Sequence, residues 1–70
     1  MSHTIRIEVN GKPRQVASGQ TLADLLGELE LDRRTVVVEL NRQIIRRTDL
    51  EAQALERDDV VELVHFVGGG

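Results

Sequence analysis

Three consecutive glycines, Gly68, Gly69 and Gly70, follow the run "VVELVHFV" and carry the most distinctive chemistry in the chain. A segment without Cβ atoms can thread a channel whose walls would stop any side chain, and can present its last carbonyl deep inside another protein's active site. The functional atoms would then be the oxygens of the Gly70 carboxylate. A carboxylate is a poor electrophile, so it must first become a mixed anhydride such as an acyl-adenylate, at the expense of ATP and with the help of a charge-stabilising enzyme. No phosphate-binding glycine loop opens a helix here, so the chain would be the substrate of that step and not its catalyst. On composition alone, a glycine run at a chain end is as often an inert leftover. Its position directly after a strand of buried type favours a functional tail.

Other chemistries are excluded or left without support. The sequence contains no cysteine, which rules out a disulfide framework, a thiolate nucleophile and Cys-based metal sites within the chain. His3 and His65 lie far apart without a supporting carboxylate pattern, so no metal site is expected. His65, with no second polar partner evident in the sequence, reads as a structural or surface residue. The net charge of -3 is mild and Phe66 is the only aromatic residue, so both the basic footprint and the stacking platform of a nucleic-acid binder are missing. The N-terminal "MSHTIRIEVNG" alternates at once, with no secretory or membrane-spanning run, and the cytoplasm is the expected location.

These groups need elements to position them. Seventy residues, 40% of them hydrophobic and 30% charged, allow one domain with a small core. "TIRIEV" alternates as a half-buried strand, Asn10-Gly11 suits a two-residue hairpin turn, and "KPRQVA" is a second strand that Pro13 assigns to an edge. Leu22, Leu25, Leu26 and Leu29 form one stripe of a helix whose capping box is Thr21 with Asp24. Gly27 interrupts that stripe, at a cost in helix propensity and with room for a close approach to the sheet. "TVVVEL" and the shorter "QIIR" are two further strands about a turn at Asn41-Arg42. A connecting stretch follows, with one helical turn started by Thr48 and Glu51, and "VVELVHFV" closes the domain. This order predicts an α+β fold of the β-grasp kind: a mixed sheet of four to five strands, one main helix on one face, and the last strand central beside the first. The domain spans 1–67 and the flexible glycine tail 68–70.

The whole chain resembles the ThiS family of sulfur carriers in thiamin biosynthesis, within the ubiquitin-like β-grasp group. The resemblance rests on "VNGKP", "GQTLADLLGELEL", "VVVELNRQIIRR" and the ending "LERDDVVELVHFVGGG". It implies that a ThiF-type adenylating enzyme activates Gly70 with ATP and that a persulfide sulfur donor converts the terminus to a thiocarboxylate (1-thioglycine). The thiocarboxylate then donates sulfur to thiazole synthase, ThiG. Gly69 and Gly70 carry over directly, with Gly68 just outside that pair. Arg46 stands where family members often have proline, and no aromatic residue lies near Leu50. The molybdopterin synthase small subunit is a poorer match, lacking its proline-rich approach to the glycines. A ubiquitin-like protein modifier and a plain interaction module are the remaining alternatives.

Alternation along the last strand turns Val61 and Leu63 toward the helix and leaves Glu62, Val64 and Phe66 on a face that a single helix cannot cover. Val37, Val64 and Phe66 are therefore expected to form a partner-docking patch beside the tail. The arginine pairs Arg33-Arg34 and Arg46-Arg47 read as solvated surface with a capacity to steer a partner. The expected free state is a monomer that binds no cofactor, metal, nucleic acid or membrane.

Overall fold

A computed structural model describes residues 3–66. Five strands form one mixed sheet in the order β2-β1-β5-β3-β4. β1 (Thr4–Val9) and β2 (Lys12–Ala17) pair antiparallel, with Val9 opposite Lys12 across the two-residue turn. Asn10 (φ 50°) and Gly11 (φ 81°) supply the two positive φ angles that this turn requires. Pro13 sits on the edge strand, where its missing N–H breaks no ladder.

Helix α1 (Leu22–Glu28) begins at the expected capping box: Thr21 accepts from the Asp24 amide at 3.1 Å and Asp24 accepts from the Thr21 amide at 3.0 Å. Leu22, Leu25 and Leu26 are buried against the sheet. Leu29, expected to complete the stripe inside the helix, is instead the C-cap and only partly buried. The helix stops because Glu30 turns left-handed (φ 58°). The Leu31 amide then donates to the Leu26 carbonyl at 2.9 Å, and the Glu30 amide to Gly27 at 3.1 Å. This is a Schellman close with glutamate in the place glycine usually takes. Gly27 plays no packing role: it is exposed, and a Cβ built there meets nothing within 4 Å. The expected close approach to the sheet is therefore absent at that position.

A 3-10 turn, η1 (Arg33–Thr35), leads into β3 (Val36–Leu40), which turns through Asn41 and Arg42 (φ 50° and 74°) into the short edge strand β4 (Gln43–Ile45). The turn expected to start at Thr48 lies one residue earlier, as η2 (Arg47–Asp49). Its N-cap is Arg46, which makes no side-chain capping bond. Thr48 sits inside it. Leu50 and Leu55, in the stretch read as a connection, are 1% and 3% exposed. Backbone bonds from Leu22 to Gln53, Ala23 to Leu50 and Leu55 to Gln20 pin that stretch to the start of α1. Both leucines therefore belong to the core.

The chain ends its described part with β5 (Val60–His65), parallel to β1 and antiparallel to β3, in the middle of the sheet as expected. This arrangement, with one helix packed across one face, is the β-grasp.

Candidate functional site

The site is built on β5, because whatever fixes that strand fixes the point from which the glycines leave. Two asparagines grip it from opposite sides. Asn10 follows the last residue of β1, and its amide, donating to the Val61 carbonyl at 2.9 Å, makes the last backbone bond of the ladder to β5. Its side-chain amide then continues the ladder, accepting from the Leu63 amide at 2.7 Å and donating to the Leu63 carbonyl at 3.3 Å. On the other flank, the Asn41 side chain accepts from the Val60 amide at 2.9 Å and donates to Asp59 at 3.0 Å, while Asp59 caps the Glu56 amide at 2.8 Å. Hairpin geometry and side-chain hydrogen bonding thus come from the same two residues. Periodicity does not reveal this role, although asparagine at the first position of both two-residue turns is its signal.

The two faces of β5 separate as alternation requires. Val61 is fully buried and Leu63 partly buried against the helix side, whereas Val64 is 51% and Phe66 43% exposed. Val37 lies directly opposite Val64 on β3, and Phe66 continues the pairing through its amide to the Thr35 carbonyl at 3.1 Å. Val37, Val64 and Phe66 therefore come together on the uncovered face. The apolar surface extends further than the sequence indicated. Ile44 on β4, paired with Glu39 of the same face, is 67% exposed, whereas Val60, also exposed, is set apart from Val64 by Glu62. Glu39 also stands directly opposite Glu62, a like-charge juxtaposition that costs the free sheet a little stability. Gly68, Gly69 and Gly70 lie outside the described residues.

His65, on the helix side of β5, is not without a partner: its Nε2 lies 3.2 Å from the Thr35 hydroxyl. It also lines an open cleft of about 560 Å³ between the first hairpin and the end of α1, with Lys12, Leu29 and Leu31. This cleft opens on the opposite side of the sheet from the apolar patch. Among the described residues no group of His, Asp and Glu is placed to hold a metal ion, and no helix is long and apolar enough to cross a membrane.

At the start of η1, Asp32 caps the turn by accepting from the Arg34 amide at 2.9 Å and takes the Arg34 guanidinium at 3.0 Å. These hydrogen bonds, helped by the positive charge of Arg34, hold the carboxyl at about 2, below its ordinary 3.8.

Fold and site together define a ubiquitin-like β-grasp domain with one covered and one open sheet face. A solved thiamine biosynthesis protein, ThiS from Geobacter metallireducens, superposes with a TM-score of 0.81 at 35% identity, covering 94% of this chain and all of that one. The ThiS family model matches residues 7–70. The sulfur carrier protein ThiS of Bacillus subtilis is 38% identical over 65 residues, 91% of this chain and 98% of that protein. A thiazole synthase of Magnetococcus marinus is 39% identical over 66 residues, 94% of this chain. The chain spans only 20% of the length of that synthase. The chain belongs to the ThiS family.

Proposed function

We propose that this domain is a non-catalytic sulfur carrier for thiamin thiazole formation, acting through the carboxylate of Gly70. In this reading the carboxylate attacks the α-phosphate of ATP within a ThiF-type adenylating enzyme, releasing pyrophosphate and leaving an acyl-adenylate. The outer sulfur of a persulfide attacks the acyl carbon and AMP departs. A further thiol cleaves the resulting acyl disulfide, leaving a thiocarboxylate on Gly70 and carrying the other sulfur away as a disulfide. The thiocarboxylate is the better nucleophile and delivers sulfur to a thiazole synthase of the ThiG type.

The observation that carries this reading is that the family match runs through the glycines to residue 70. It is supported by a relative named as a sulfur carrier, matched over nearly its whole length. That two relatives are themselves named thiazole synthases, each matched over a fifth of its length, supports such an enzyme as the acceptor. The open apolar face beside β5 offers a docking surface, with Val37, Val64 and Phe66 at its centre and Gly68, Gly69 and Gly70 as the segment that threads into the partner. Replacing Gly70 with alanine tests the site. The reading expects the variant to keep the fold and lose adenylate formation, followed by pyrophosphate release; undiminished release from Gly70→Ala would contradict it.

A further inference from the structure

Two arginine pairs that the carrier chemistry does not use are brought together by the fold. Arg33 and Arg34 lie on η1, before β3, and Arg46 and Arg47 lie where β4 runs into η2. β4 stops at Ile45, opposite Val38, so Val36 and Val37 of β3 have no partner on that side. The result is a notch of about 290 Å³ with Val37, Ile44 and Phe66 in its lining, and among the described residues the four arginines are the only charged ones that line it. Four of the nine basic residues of an acidic chain therefore converge on one small concavity.

The charge there is only partly matched. Arg33 pairs with Glu51 at 3.4 Å and Arg34 with Asp32 at 3.0 Å, whereas Arg46 and Arg47 form no ion pair among the described residues. The two segments also feel one another, since the charge of Arg47 contributes to the lowering at Asp32. Guanidinium groups match carboxylates in planar, two-point geometry. The notch is at or below the small end of small-molecule pockets, roughly 300–1,000 Å³, so it has room for one or two side chains. With Phe66 as the only aromatic ring, there is no platform on which successive bases could stack.

We propose that Arg33, Arg34, Arg46 and Arg47 form the basic rim of the docking face and receive a carboxylate-bearing segment of the protein that docks there. This rests on the docking reading above, because Val37, Ile44 and Phe66 belong to both the notch and the apolar patch. The opposed Glu39 and Glu62 lie on the same face beside Ile44 but outside the lining of the notch, so a partner meets acid on one side of Ile44 and base on the other. That polarity fixes the orientation in which it seats.

The test is a titration of the isotope-labelled full chain with an oligoglutamate peptide, followed by amide NMR, with an oligoglutamine peptide as the control. Saturable, salt-sensitive shifts confined to the arginines and their neighbours Val37, Ile44 and Phe66 are expected with oligoglutamate alone. They should vanish in Arg46→Gln/Arg47→Gln, whose spectrum stays dispersed. A second arm measures association with the adenylating enzyme, where the double variant should slow binding about tenfold and flatten its salt dependence. If the terminus accepts no sulfur while the peptide shifts persist, the carrier reading fails and the notch stands. Four outcomes would overturn the proposal: shifts spread over Lys12 and Arg14 as well, no shifts, the same shifts from inorganic phosphate or a single-stranded oligonucleotide at lower concentration, or self-association of the chain.

Discussion

The two faces of this sheet are made by the same strands and do opposite things. Toward α1, Ile7, Val38 and Val61 are buried with Leu25, Leu50 and Leu55 in one cluster. Away from it, Val64, Phe66 and Ile44 stay in water and border an uncompensated pair of glutamates. One residue step along β5 separates a side chain that holds the fold from one that leaves apolar surface exposed. A domain with a single helix can bury only one face of its sheet. Apolar residues kept on the other face raise the free energy of the isolated protein, and a partner that covers them recovers it.

The largest break in this comparison comes from the covered face. Val61→Asp places an unpaired charge in the core, an effect of several kcal/mol against a total stability of about 5–15 kcal/mol. Its amide spectrum should collapse to the narrow dispersion of an unfolded chain. The matching change on the open face, Val64→Asp, is expected to weaken binding to the adenylating enzyme by about tenfold or more. Its own stability should move by no more than about 0.5 kcal/mol, as read by denaturant unfolding. Loss of the Asn10 side chain, as Asn10→Ala, removes two exposed hydrogen bonds to the Leu63 backbone and costs about 0.5–1.5 kcal/mol in the same assay. Gly27→Ala sharpens the contrast in the other direction. With open space around the Cβ position, the gain in helix propensity should stabilise the domain by about 1 kcal/mol.

The smallest effect is one of pH. The Asp32 carboxyl titrates at about 2 in the folded chain, below its ordinary 3.8, so its ionised form is favoured by folding. Its contribution is complete above about pH 4 and disappears as the pH falls toward 2. An acid titration of Asp32→Asn should lack that part of the pH dependence. The effect is slight because the group is exposed to solvent, which screens its interactions.

Much of this was legible in the sequence because alternation and turn chemistry act locally. The order of strands, the Thr21 capping box, the edge position of Pro13 and the opposite facing of Val61 and Val64 all follow from period and residue type. Features made by tertiary closure were not legible. Leu50 and Leu55 sit in a stretch without periodicity, and only the backbone bonds to α1 bring them into the core. The asparagine grips on β5, the Thr35 contact of His65 and the meeting of four arginines each join segments distant in the chain. Gly27 shows the converse error, where a residue type suggested a close approach that the packing does not make.

The most direct test of the account compares the parent chain with Phe66→Asp in a complete reaction of ATP, adenylating enzyme, persulfide donor and thiol, with intact mass measured beside the amide spectrum. The account predicts that the parent terminus exchanges one oxygen for sulfur, while the variant remains folded and exchanges far more slowly. A parent chain that gains no sulfur from enzymes shown to be competent, or a folded variant that gains it as fast as the parent, would contradict it.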